Sequence, residues 1–371
     1  MKKFTTAFVI PYNPINESSG LQNACVRIAK AISEKFGYKI KILSLGKSGI
    51  KSGVYINGYK SFYHILGNLL LDRDIKVIYW MEIFPNGYTK YFQYAFSALL
   101  RLLGKRNVLG IGTYGNMINR GGGQLGYWLA KFAFEAFIVL NKKQVWELVS
   151  CGMNRSRIYY LSRGVDPSIF SVSKGNEKTR LRDKYSLPRD KIIILYLGRF
   201  VARKRPDLLI KLFTESTKLH KDAILLLVGS SYNHEDSIDE LIKKMIPKDV
   251  PIVKLESIEE TWEVYKLSDI FITLSEREGE SNSVLEAMSC GLPILSFDVP
   301  GISSIVKNNI NGYTIDNNDL LEMKNKLSNL VFDSSLRCCM SKMSREIILK
   351  ERRIIDVSRE YLNLFKILRH D

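Results

Sequence analysis

The feature that most limits the fold of this chain is a rhythm of short apolar runs. Residues 192–197, 223–228, 251–255, 270–274 and 294–297 are each nearly continuous in apolar side chains. A strand covered by helices on both faces reads this way, whereas a half-exposed strand alternates. Segments 4–10, 39–45, 77–81, 108–111, 137–140 and 158–161 repeat the pattern in the first half. Helical spacing separates most of them, as at Ala24, Ile28, Ala31 and Ile32 in the stretch from about 21 to 35. Strands alternating with helices predict an α/β chain with mainly parallel sheets wrapped on both faces. The length, 371 residues, suffices for two such domains, each with its own core. The polar stretch 167–178, with Gly, Pro and Ser and no apolar run, is predicted to be the interdomain linker. The tail 343–368 is predicted to be helical.

Charge divides the chain unevenly. Of the formal +17, residues 1–170 hold 23 Lys/Arg against 8 Asp/Glu, while residues 171–371 hold 32 against 30. The basic field of the first half predicts an anionic partner there, such as a membrane surface or a diphosphate-bearing lipid. Nucleic acid is not expected, because no zinc-finger spacing, RRM-type aromatic signature or basic helix repeat occurs. Two aromatic stretches, 88–103 and 127–140, are too short and interrupted to span a bilayer. They suit either a core helix or a helix lying in the interface, with Arg101, Lys105 and Arg106 near headgroups. The N-terminus reads as a first strand and not as a signal peptide. Cys25, Cys151, Cys290, Cys338 and Cys339 are odd in number and lack metal-ligand spacing, which predicts reduced cytoplasmic thiols and no metal site.

Chemistry concentrates between 270 and 306. There an apolar run leads through the loop SEREGES into a short helix from Asn282, which Gly291 and Pro293 terminate. Amides at a helix start attract anions, and carboxylates such as Glu278 and Glu286 suit hydroxyl donors. Phosphate and hydroxyls side by side describe a nucleotide sugar. The alternative is local, since Ser283-x-x-Glu286 also fits a capping box. A second basic turn follows residue 197: Gly198, Arg199 and Lys204, with Arg203 and Arg205 nearby, supply phosphate-binding groups. Gly229 opens a third turn. All three turns end strands of one sheet, so they are expected to converge on one crevice.

With these residues assembled, the chain resembles the retaining nucleotide-sugar glycosyltransferases of GT-B fold that carry an E-x7-E motif, known as glycosyltransferase family 4 or group 1. The motif is Glu278 and Glu286 with the following AMSCGLP, and the likeness extends to GVD at 164–166, GRFVARK at 198–204, VGS at 228–230, Tyr265-x3-Asp269, Gly301 and Asn311-Gly312. It is detailed from about 136 to 315. The resemblance implies two Rossmann-like domains whose sheets face across a cleft. It places the acceptor domain at 1–170, the donor domain at 171–345, and a helix at 346–371 returning to the first domain.

By the same resemblance, Arg199, Lys204 and Glu278 carry the catalysis. The two cations hold the donor diphosphate and Glu278 meets sugar hydroxyls. Gly198, Gly229 and the 279–283 backbone (Gly279, Glu280, Ser281, Asn282, Ser283) line the donor site. Glu286 binds the ribose, and Leu255, Ser257 and Ile258 lie by the base. Gly20, Thr113 and Tyr114 are assigned to the acceptor or phosphate side. No metal or other cofactor is implied. The partners are a nucleotide-sugar donor and a lipid-linked or glycan acceptor in bacterial surface polysaccharide assembly (capsule or lipopolysaccharide). The expected place is the cytoplasm, peripheral to the inner face of the membrane. Two positions depart from the family: Ile111-Gly112-Thr113-Tyr114-Gly115 lacks the histidine common after the fourth strand, and Glu256 replaces a usual glycine. A nucleotide-sugar epimerase of the same fold needs acid–base groups that the His-poor first half does not offer. A binding subunit without activity would not need the intact Arg199, Lys204, Glu278 and Glu286.

Overall fold

The computed structural model describes residues 5–10, 20–81, 87–112, 123–230, 237–317 and 319–370. They divide into two compact units, Met1–Gly164 with Ile354–Asp371, and Val165–Arg353. Unit 1 runs β1 (Thr5–Ile10), α1 (Gly20–Phe36), β2 (Lys39–Leu45), β3 (Gly49–Lys51), β4 (Val54–Tyr59), α2 (Phe62–Leu71), β5 (Ile75–Trp80), α3 (Gly87–Leu102), β6 (Arg106–Ile111), α4 (Gly123–Ala133), β7 (Ala136–Val139), α5 (Lys142–Ser150) and β8 (Ile158–Tyr160). Its sheet has the order β3-β4-β2-β1-β5-β6-β7-β8, parallel except for β3 against β4.

Alternation along β1 builds this unit's two cores. Phe8 and Ile10 pack under α1 with Ile28, Ile32, Val77, Tyr361 and Phe365. Ala7 and Val9 go to the other face, with Ile65, Leu69, Tyr94, Leu100 and Phe134. Fully burying each large apolar side chain contributes about 1.5–3 kcal/mol. The aromatic stretch 127–140 is not one element: α4 ends at Ala133 and β7 begins at Ala136, with Phe134 wholly buried at the corner. Strands β3 and β4 were not expected, because their mixed residues carry no apolar run.

Unit 2 runs α6 (Glu177–Lys184), β9 (Ile192–Leu197), α7 (Pro206–Glu215), β10 (Ala223–Val228), α8 (Asp239–Met245), β11 (Ile252–Leu255), α9 (Trp262–Leu267), β12 (Ile270–Thr273), α10 (Asn282–Ser289), β13 (Ile294–Phe297), α11 (Pro300–Ser303), β14 (Gly312–Ile315), α12 (Leu320–Phe332) and α13 (Ser334–Glu351). Its sheet is wholly parallel, in the order β11-β10-β9-β12-β13-β14. Counted along this unit the order is third-second-first-fourth-fifth-sixth, that of a Rossmann fold. Its direction of winding reverses between β9 and β12, and ligands bind at the carboxyl ends of the strands at such a point. Asp319 and Asp333 cap α12 and α13 through the amides of Glu322 and Leu336, each at 2.8 Å.

The polar segment 167–178 is fastened into unit 2. Arg345 donates to the carbonyls of Pro167 (2.9 Å) and Phe170 (2.8 Å), and the Ser173 hydroxyl donates to Lys266 O at 2.6 Å. The C-terminal helix predicted for 343–368 is two helices. It breaks at Arg352–Arg353, where Val165 donates its amide to Arg352 O at 2.9 Å, and the chain then re-enters unit 1 as α14 (Ile354–His370). Helical periodicity runs on through that break, so the sequence hides it.

Candidate donor site

The site is built where the loops after β9 and β12 meet. Gly229, after β10, has φ +138°, and a Cβ there would lie 2.1 Å from Gly198 O. Only glycine lets the ends of β9 and β10 approach so closely. Beyond Gly198, the wholly buried Phe200 and Val201 anchor the loop, and the Tyr196 hydroxyl donates to Arg199 O at 3.1 Å. A single 3-10 turn, Ala202–Lys204, then presents Lys204. Opposite it, the Glu276 amide donates to Arg203 O at 3.0 Å and Arg205 pairs with Glu276 at 3.0 Å, lacing the two loops together.

Lys204 Nζ is ion-paired with Glu278 Oε1, the two side chains retaining 16% and 11% of their exposure. Glu278 is set from behind by Gly301, whose missing side chain leaves room for Glu278 O 2.3 Å from the would-be Cβ. Burial pushes the Glu278 carboxyl up, but Lys204, Arg203 and a hydrogen bond from Ser275 outweigh it and hold it below the usual glutamate range. Burial pushes the Lys204 ammonium down; Glu278 opposes this, Arg203 and Arg199 add to it, and the net shift is downward. The two shifts have different causes: burial leads for Lys204, while for Glu278 the opposing Lys204 and Arg203 outweigh burial. Two cations, Lys204 and Arg203, thus act on the one carboxylate, an arrangement that favours an anion. Burial also raises the Tyr196 phenol, and Glu278 adds to the rise while Arg203 and Arg199 oppose it.

Past Glu278 the chain dips inward. Glu280 is fully buried, its Oε1 4.0 Å from Arg352 Nε, and Ser281 is the N-cap of α10. The capping box spelled by Ser283 and Glu286 does not form, because the helix begins too early for Ser283 to be its cap. Glu286 instead accepts from the Tyr265 hydroxyl at 3.1 Å, within the unit's core. Asp269, the other residue of that spacing, is structural. It takes Arg182 (2.6 Å), Lys178 (2.5 Å) and the Ile193 amide (2.7 Å), and so ties α6 to the sheet. At the ends of β10 and β11 the Ser230 and Ser257 hydroxyls are 3.0 Å apart, Leu255 and Ile258 rest half-buried on the core, and Glu256 pairs with Lys254 at 2.8 Å.

The loops therefore bring together Arg199, Lys204 and Glu278. Arg203 and Ser275 join them, two residues that the sequence did not single out by role. Four basic residues within seven positions give no hint of which face inward. The fold separates them: Arg203 acts on Glu278, and Arg205 is diverted to Glu276. Gly20 begins α1 in unit 1, while Thr113 and Tyr114 lie outside the described residues. Among the described residues no group of three or more His, Cys, Asp or Glu side chains gathers as a metal site requires.

Residues 177–347 match the family described as glycosyl transferases group 1. The chain is 24% identical over 225 residues to a D-inositol 3-phosphate glycosyltransferase of Xylanimonas cellulosilytica, covering 57% of this chain and 52% of that protein. It is 28% identical over 211 residues to the capsular polysaccharide biosynthesis glycosyltransferase CapM of Staphylococcus aureus, covering 56% and 55%. Both matches thus span about half of the relative's own length. Among solved structures, Anabaena Alr3699/HepE in complex with UDP-glucose superposes with a TM-score of 0.80 at 13% identity, over 98% of this chain and 99% of that one. Residues 177–347 are thus similar to the glycosyl transferases group 1 family, and the chain carries the two Rossmann-like α/β units of a GT-B fold.

Proposed function

We propose that the protein is a retaining glycosyltransferase that moves a sugar from a UDP- or GDP-sugar to a lipid-linked or glycan acceptor. The pathway is the building of a bacterial surface polysaccharide at the inner face of the membrane. The observation that carries the reading is the cluster of Lys204 and Arg203 at Glu278, with Arg199 acting on Lys204, at the switch point of unit 2. A diphosphate offers these cations charge-assisted partners, and the displaced Glu278 accepts from sugar hydroxyls. Glu286 takes the ribose, Leu255, Ser257 and Ile258 flank the base, and the 279–283 backbone completes the sugar pocket. The names of relatives support the choice of substrate class, since CapM serves capsule synthesis and HepE was solved with UDP-glucose.

In the proposed reaction the bond from the anomeric carbon to the diphosphate breaks while the acceptor oxygen bonds to the same face of that carbon. The acceptor proton passes to a departing diphosphate oxygen. Arg199 and Lys204 stabilise the charge that gathers on the leaving group, where preorganised cations lower the barrier most. No metal is required, because these side chains supply the positive charge.

A panel of UDP-, GDP- and ADP-sugars, screened for thermal stabilisation, tests the donor. One nucleotide class should raise the midpoint in the wild type. Arg199→Ala should stay folded, lose that rise, and lose transfer. No stabilisation by any nucleotide sugar, or near-normal turnover in Arg199→Ala, would overturn the assignment.

A further inference from the structure

The outward face of a helix that covers a sheet is ordinarily polar, since nothing in the fold lies beyond it. Three neighbouring helices of unit 1 depart from this. On α3 the exposed positions include Phe92, Ala95, Leu99 and Leu102, one stripe at helical spacing, with Leu102 74% exposed. On α4 they include Leu125, Trp128 and Phe132, again one stripe, with Trp128 65% exposed. The stripes adjoin, because Arg101 of α3 lies over the Phe132 ring at 5.5 Å and donates to Phe132 O. At the other end Phe92 meets Phe62 and Tyr63 of α2 with centroids 6.3 and 5.7 Å apart. Exposed Tyr63 and Leu71 extend the apolar surface across α2.

The charge on this surface is mainly positive, its carboxylates being Glu135, which pairs with Arg101 at 2.9 Å, and the half-buried Glu147 of α5. The segments of α2, α3 and α4 contain no Asp or Glu, and Arg101 and the exposed Lys131 are cations on their described residues. On α5 the exposed Trp146 shares a face with exposed Lys142, Lys143 and Val149. Among the described residues no helix is long and apolar enough to cross a membrane. A surface of this kind, apolar and aromatic at its centre and cationic around it, matches the boundary between acyl chains and anionic headgroups. A second copy set on the same face would bring like charges together, which costs association.

We propose that the outer face of α2, α3 and α4, with Trp146 and its lysines, docks on an anionic lipid bilayer. This deepens the partner side of the proposed function and rests on it only for the expectation of a lipid-linked acceptor. The apolar stripes lie in the interface, and the cations meet lipid phosphates.

The test uses the full chain with vesicles of phosphatidylcholine alone or mixed with phosphatidylglycerol, sedimented at low and high salt. The wild type should sediment with the phosphatidylglycerol vesicles, more strongly at low salt. The triple variant Leu102→Ser, Trp128→Ser, Phe132→Ser should keep its melting point and lose about tenfold or more in partitioning. Lys142→Ala with Lys143→Ala should lose about fivefold for each lysine. Unchanged partitioning of the triple variant overturns the proposal. So does a wild-type dimer, free of vesicles, that the triple variant dissociates. Nucleotide-sugar stabilisation measured on the same samples separates the two readings: its absence with vesicle binding intact faults the donor assignment and leaves the docking face standing.

Discussion

Replacing Glu278 by Gln should be among the most damaging single changes at the donor site. It removes the carboxylate paired with Lys204 and leaves that ammonium beside Arg203 and Arg199, with little water to screen them. Stripping one partner from a buried pair costs about 3–5 kcal/mol, and the residual exposure here argues for the lower end, about 3 kcal/mol. Lys204→Met is milder, about 1 kcal/mol, because Glu278 keeps Arg203 and Ser275 as partners and two cations lose a repulsive neighbour. The double variant should then cost less than Glu278→Gln alone. The coupling between the sites then exceeds about 1 kcal/mol, against about 0.5 kcal/mol for independent positions. Urea unfolding of the wild type, both single variants and the double variant measures each term. In a thermal scan Glu278→Gln should melt roughly 6–12 °C lower, at about 2–4 °C per kcal/mol. Single-variant costs that simply add would refute the claim that Lys204 and Glu278 are one electrostatic unit.

The acid limb of stability should carry the mark of the same carboxylate. Its folded form titrates below the ordinary glutamate value, so its contribution is complete above the unfolded value and drains away as pH falls through the folded one. Unfolding midpoints of Glu278→Gln should therefore flatten in that window, and a profile parallel to the wild type would contradict the shift. Gly229→Ala sets a methyl 2.1 Å from Gly198 O at φ +138°. It should cost about 3 kcal/mol in urea unfolding and abolish nucleotide-sugar stabilisation; a normal midpoint would mean that the ends of β9 and β10 do not touch as described.

Much of unit 2 was legible because its physics is local in sequence. A parallel strand buried on both faces must be a short apolar run, and β9, β10 and β13 fall where those runs do. Gly198, Gly229 and Glu278 stand in turns that follow strands, so the order of elements alone put them at one edge of the sheet. Strand β14 and the pair β3–β4 were hidden, since their residues are mixed and their pairing depends on partners distant in the chain.

The sequence by itself determined the α/β class, the parallel sheets and the set of side chains able to meet a sugar nucleotide. Only the tertiary structure decided which of four neighbouring cations act on Glu278, that Glu286 accepts from Tyr265 in a helix whose N-cap is Ser281, and that the outer helices of unit 1 share one apolar, basic face. The reason is the range of the forces concerned. Strand and helix follow from the spacing of neighbouring residues, but a charge pair or a surface patch depends on which segments the fold sets side by side, and no window of sequence holds that information.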